Sequence, residues 1–116
     1  MKKNQRVLVL GSTGMVGHIL CKYLICNSDF ILFDISRSYK FRDKTNLFDV
    51  KNEKDFCEYI KTIKPDYIIN CIGVLIRESN ISVENAIYIN SYFPYMLRKL
   101  ASQINSKLIH ISTDCV

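Results

Sequence analysis

The sequence predicts an α/β domain, a doubly wound parallel sheet of about five strands in the order 3-2-1-4-5. Three observations carry that expectation. Apolar runs of strand length alternate along the chain with stretches of helical periodicity. The runs are apolar at successive positions, as strands buried on both faces must be, because a half-solvated strand would alternate. Three of the four glycines fall within the seven residues after the first such run and the fourth ends another, where the chain has to leave the sheet.

The first strand reads Arg6–Leu10, and it runs directly into Gly11-Ser12-Thr13-Gly14-Met15-Val16-Gly17. A helix follows over Met15–Cys26, then a second strand over Phe30–Asp34, a polar loop to Lys44 and a short third strand near Asn46–Phe48. Helix Asn52–Ile63 has Phe56, Ile60 and Ile63 at i, i+4 and i+7, one apolar face, and Pro65 stops it. Asp66–Ile72 is an almost wholly apolar fourth strand. A long helix from about Ser82 to Ile104 and a fifth strand over Lys107–Ile111 complete the pattern. Parallel neighbours need a crossover between them, and the helices supply it.

At 116 residues the chain suits one domain, large enough to bury roughly two-thirds of its unfolded surface. The formal charge of +5 is dispersed. Its densest group, Lys40, Arg42 and Lys44 around Tyr39 and Phe41, reads as a solvated loop, and with no accompanying nucleic-acid motif the chain is not expected to bind nucleic acid. The five cysteines show no ligand spacing and lie mostly on apolar faces, as reduced thiols of a cytoplasmic protein do. Met1-Lys2-Lys3 precedes too short an apolar stretch for a leader, and no segment has the length to span a membrane.

The glycine turn is where chemistry concentrates. Gly11 lets the chain reverse, Gly14 admits a pyrophosphate to the backbone N–H groups, and Gly17 lets the helix close on its strand, with Ser12, Thr13, Met15 and Val16 between them. The helix N-terminus then presents unpaired donors and a positive dipole end to phosphate. Asp34, about twenty residues on, stands where a carboxylate accepts both hydroxyls of an adenine ribose, which favours NAD(H). Arg37 keeps NADP(H) open, because a guanidinium holds a 2′-phosphate. Asp49-Val50 follows the third strand and is expected beside the adenine, although Asp49 serves equally as a cap for the next helix. Asn70-Cys71-Ile72-Gly73 ends the fourth strand at the switch point, where ligands cross the sheet.

Two further positions stand out. Pro94 lacks an N–H, so the carbonyl of Asn90 four residues back loses its helical partner and the helix should kink there. Ser112-Thr113-Asp114 closes the fifth strand at the same edge, with hydroxyls that could bond a substrate carbonyl or merely cap the next segment of chain. His18 and His110 are assigned to packing or solvent rather than to catalysis.

Taken together, Val9–His18, Lys64–Gly73 and Ile109–Val116 resemble the N-terminal part of an extended short-chain dehydrogenase/reductase, in the sugar-nucleotide branch that contains the dTDP-4-dehydrorhamnose reductases. The last stretch, Ser112-Thr113-Asp114-Cys115-Val116, is the most specific. The resemblance implies that Thr113 is the catalytic hydroxyl, that the carbonyl of Asn90 holds a water in a proton relay, and that the substrate is a nucleotide-activated 4-keto-6-deoxy sugar destined for cell-surface polysaccharide. It also implies a Tyr-x-x-x-Lys pair and a substrate domain, neither of which the sequence contains. Residues 1–116 are therefore expected to form the NAD(P)-binding domain alone. An epimerase or dehydratase of the same superfamily, and a dinucleotide-binding module without catalysis, are the competing readings. The apolar fifth strand, with Lys107 as its only charge, is expected to make the chain self-associate, as a homo-oligomer, or be poorly soluble.

Overall fold

The computed structural model describes residues 4–27, 29–37, 39–72 and 88–111. In order these form β1 (Gln5–Leu10), α1 (Met15–Ile25), β2 (Phe30–Ser36), β3 (Asn46–Leu47), α2 (Glu53–Ile63), β4 (Tyr67–Asn70), a π-helical turn (Tyr88–Tyr92), α3 (Phe93–Gln103) and β5 (Lys107–His110). The sheet has five parallel strands in the order β3-β2-β1-β4-β5, as expected. Register places Val9 beside Asp34 and Ile69, and Leu10 beside Ile35 and Asn70.

Both faces of the sheet are covered, which explains the unbroken apolar runs. Leu8, Leu10, Ile35 and Ile68 pack against Phe56 and Ile60 of α2 and Phe93, Leu97 and Leu100 of α3. Val7, Val9 and Ile69 point the other way, onto Cys21 and Leu24 of α1. Period-two alternation along β1 thus feeds two cores from one strand. Burying each Leu or Phe contributes about 1.5–3 kcal/mol, so the larger core under α2 and α3 does most to hold the sheet. The N-terminal ends are pinned by Arg6, whose Nη1 donates to the Ile63 carbonyl at 2.6 Å and whose backbone N–H donates to Asp66 Oδ2 at 2.8 Å.

Several boundaries differ from expectation, each for a local reason. Strand β2 runs two residues past Asp34, to Ser36, because Ile35 continues the buried alternation and pairs with both Leu10 and Asn46. Strand β4 is shorter than the apolar run suggests: Cys71 still donates to the Leu10 carbonyl at 2.9 Å, but the ladder ends at Asn70. Helix α2 ends on Lys64 in the left-handed region, φ 52°, just ahead of Pro65. The third helix begins as an α-helix only at Phe93. Pro94 lies in its first turn, and the chain just before it is wound as a π-helical turn that runs on into the α-helix. The start of the long helix near Ser82 lies outside the described residues.

Candidate active-site cleft

Strands β1, β2 and β4 end together, and their C-terminal ends open on a cleft of about 230 Å³. One wall is the turn after β1, represented by Gly11, Thr13 and Gly14. Gly11 has φ +88°, which side chains rarely tolerate. Its N–H and that of Ser12 both donate to the Ile35 carbonyl, at 2.9 and 3.1 Å, so the turn is stapled to β2. Gly17 is the tighter constraint: a Cβ there would stand 2.0 Å from the Gly11 carbonyl oxygen. Helix α1 starts against this turn with Gly14 as N-cap, no side-chain cap and no acidic residue in its first turn. Its first-turn N–H groups and positive dipole end thus lie beside the cleft without a side-chain partner, as a phosphate site requires.

The opposite wall comes from Ser36 and Arg37 at the end of β2 and from Phe48, Asp49, Val50 and Lys51 after β3. Cys71 and Ile72 close the switch point, and Ile89 of the π-helical turn forms a further side. Asp49 does not cap α2. Asn52 holds that position, while Asp49 Oδ1 accepts the Lys51 N–H at 3.0 Å and shapes the turn before the helix. Burial pushes the Cys71 thiol upward, so it meets the cleft as a neutral, apolar contact.

Asp34 is placed differently from its sequence position. It lies inside β2, fully buried, on the α1 side of the sheet and away from the cleft wall that Ile35 lines. Its Oδ1 accepts from Arg42 Nε at 2.8 Å and its Oδ2 from Thr45 Oγ1 at 2.6 Å. Both partners come from the polar loop, eight and eleven residues on, a pairing that spacing along the chain does not announce.

Other sequence candidates divide in the same way. Ser12 is buried, donating toward the Ile35 carbonyl at 3.4 Å. Met15 and Val16 are exposed on the first turn of α1. Asn70 braces the edge rather than lining it: its Oδ1 accepts from Ile72 N–H at 3.0 Å, and its Nδ2 lies 3.0 Å from His110 Nδ1. The backbone N–H thus fixes the amide orientation, and the ring nitrogen of His110 acts as acceptor. That gives His110 a bracing role the sequence did not reveal. The backbone of Asn90 sits midway through the π-helical turn, next to Ile89. Gly73 and Thr113 lie outside the described residues. Ser36, Phe48, Lys51 and Ile89 were not anticipated; for Ser36 the signal was available in Ile35, which prolongs the apolar run. Among the described residues no group of three or more His, Cys, Asp or Glu is placed to hold a metal ion, and no helix is long and apolar enough to cross a membrane.

The chain is 30% identical over 112 residues to the dTDP-4-dehydrorhamnose reductase of Escherichia coli (strain K12), covering 95% of this chain and 35% of that protein. It spans about a third of the length of the curated relatives it matches. The fold matches the crystal structure of a hypothetical dTDP-4-dehydrorhamnose reductase from Sulfolobus tokodaii with a TM-score of 0.83 at 24% identity, over 95% of this chain and 40% of the other. It also matches the Bordetella bronchiseptica enzyme WbmG in complex with NAD, with a TM-score of 0.80 at 14% identity, over 97% and 38%. The NAD dependent epimerase/dehydratase family model matches residues 7–116. An uncapped helix start behind a glycine turn, at the switch point of a 3-2-1-4-5 sheet, is what such a match demands, and the chain belongs to the NAD dependent epimerase/dehydratase family.

Proposed function

We propose that this chain is the NAD(P)(H)-binding portion of a cytoplasmic reductase acting on a nucleotide-activated 4-keto-6-deoxy sugar, in the manner of the dTDP-4-dehydrorhamnose reductases it resembles, for cell-surface polysaccharide synthesis. The observation that carries the reading is the cleft itself. The open first turn of α1 and the Gly11–Gly14 turn suit a pyrophosphate, while Ser36, Arg37, Asp49 and Val50 suit the adenosine half of a dinucleotide. The groups present fit the cofactor: Gly14 lines the cleft, and a Cβ there would meet only the Gly11 carbonyl oxygen, at 3.5 Å, so the space beside the turn is left open on the cleft side.

The cofactor, when bound, supplies the hydride. The chain's own part is to hold the dinucleotide across the strand ends, with Cys71 and Ile72 as the close-packed surface at the switch point. Thr113 then orients the sugar carbonyl through its hydroxyl, and the Asn90 carbonyl, released by Pro94, holds a water for proton transfer. A second reading, an epimerase or dehydratase on the same class of nucleotide sugar, is favoured by the family that matches.

Fluorescence titration of NADH and NADPH into the 116-residue chain tests the binding. The expected result is saturable binding of a nicotinamide cofactor that Gly14→Val abolishes without unfolding the protein. A folded Gly14→Val variant that keeps its affinity would remove the site assignment.

A further inference from the structure

Resting on that reading of the cleft, we infer that His110 is a positioning residue: its neutral imidazole holds the Asn70 amide, and so locks the backbone over which the dinucleotide crosses the sheet to the strand that leads into Ser112-Thr113. Register sets Asn70 of β4 directly beside His110 of β5. The amide has one orientation. Ile72 N–H donates to Asn70 Oδ1 at 3.0 Å, so Nδ2 is the atom that lies 3.0 Å from His110 Nδ1. An amide nitrogen only donates, so Nδ1 must carry a lone pair and the ring proton belongs on Nε2. A doubly protonated ring sets N–H against N–H and cannot close this contact.

Asn70 is the last residue of β4 and is 0% exposed, and what it holds is the floor of the cleft. Its carbonyl accepts from Ile111 N–H at 2.9 Å, and Cys71 N–H donates to the Leu10 carbonyl at 2.9 Å. Past those bonds the ladder stops, and the Ile72 N–H is held by the Asn70 side chain instead. Ile72 in turn lies against the glycine turn: a Cβ on Gly11 would stand 3.1 Å from Ile72 Cγ1 and 3.3 Å from the Cys71 carbonyl oxygen. Gly11, Cys71 and Ile72 all line the cleft. A chain of contacts thus runs from His110 through Asn70 and Ile72 to the phosphate turn. Without an acceptor at 110 a buried amide donor loses its partner, and the amide is free to turn away from Ile72.

Protonation is the event that breaks this chain of contacts, and His110 is exposed to it. Strand β4 sets Asn70 beside the ring, with Tyr67 at its far end opposite Lys107. Helix α3, which packs with Leu108 on one side of β5, has its titratable groups Tyr95, Arg98 and Lys99 exposed. None of β4, β5 and α3 contains a carboxylate, so these elements offer a charged ring no new partner.

The test is titration of NADH and NADPH into the 116-residue chain at about pH 7.5 and about pH 5.5, with folding followed by circular dichroism. For the tighter-binding cofactor, wild type is expected to lose about fivefold in affinity at the lower pH, the worth of one hydrogen bond. His110→Asn, whose Oδ1 replaces Nδ1 as acceptor, should bind within about twofold of wild type at the higher pH and lose the pH dependence. His110→Leu should bind as weakly at both pH values as wild type does at the lower. His18→Gln, at the other histidine of the chain, should keep the wild-type profile. Nitrogen-15 NMR at the higher pH should show His110 protonated at Nε2 alone, a readout that stands even should His110→Leu not fold. Protonation at Nδ1, a folded His110→Leu variant with wild-type affinity, or a His110→Asn variant with the wild-type pH dependence would overturn the positioning role and leave the cofactor site standing. Failure of both cofactors to bind the folded wild-type chain at either pH would instead remove the proposed function and this inference with it.

Discussion

Replacing Gly17 with alanine probes how closely α1 is seated on the sheet. The added Cβ would lie 2.0 Å from the Gly11 carbonyl oxygen, 2.8 Å from its carbon and 3.3 Å from Ser12 Cα, where ordinary contact begins at 3.4 Å. The obstacle is backbone, and it is fixed: Gly11 N–H is bound to Ile35 and the Gly11 carbonyl accepts the Gly14 N–H at 3.2 Å. Helix α1 would therefore have to back away by more than an ångström, loosening Cys21 and Leu24 from Val7 and Val9. Overpacking against such a fixed group belongs at the upper end of about 1–3 kcal/mol, and the better helix propensity of alanine returns about 1 kcal/mol. The net loss of about 2 kcal/mol corresponds to a Tm lower by roughly 8 °C in a chain of this size. Thermal unfolding followed by far-ultraviolet circular dichroism measures it. Gly14→Ala is the control, because its Cβ would meet only the Gly11 oxygen, at 3.5 Å, in an ordinary extended conformation. An alanine at 17 that leaves Tm unchanged or raises it would refute the close seating.

Arg42→Met should cost about 3–5 kcal/mol in denaturant unfolding, since it leaves the buried Asp34 carboxylate with Thr45 alone; a loss below about 1 kcal/mol would show that the pair is not what holds the loop. Burial first, then the Asp34 charge, pushes the Cys21 thiol up from its ordinary 9.0 to about 12, and burial pushes Tyr59 from 10.0 to about 12. The native state keeps protons that the unfolded chain releases, so stability from these groups is complete below pH 9 and falls as pH rises from 9 toward 12. Unfolding scans at pH 8, 9.5 and 10.5 should show that decline, and alkylation with iodoacetamide at pH 8 should mark exposed Cys26 well before Cys21. In a longer protein carrying this segment, Thr113→Val should lower kcat far more than it alters cofactor affinity; equal effects on both would contradict its role on the substrate. Sedimentation at several concentrations should show association through β5, where Ile109 is 45% exposed, and Ile109→Lys should reduce it.

Strand order, the glycine turn and both helix-covered faces were legible from the residues because they depend on local chemistry. Unbroken apolar runs require two covered faces, and Gly11-x-x-Gly14-x-x-Gly17 is a pattern whose reasons, a positive φ and a helix with no room for a Cβ, sit within seven consecutive residues. That the helix would be irregular just ahead of Pro94 was legible for the same reason, since an absent N–H acts on a carbonyl only four positions away. The partnership of Asp34 was not. A strand-end carboxylate is read by its distance from the glycine turn, but whether it faces ligand or interior depends on two further facts. Register sets Asp34 beside Val9, on the face toward α1, and the loop folds back to bring Arg42 and Thr45 onto it. The brace between Asn70 and His110 is of the same kind, joining residues forty positions apart that only adjacency of β4 and β5 brings together. What the sequence determined by itself was the set of short-range constraints on the backbone. Which polar groups reach the cleft was decided by tertiary structure, because a charged side chain goes to whichever partner the fold brings near it, and that partner lies outside any local window.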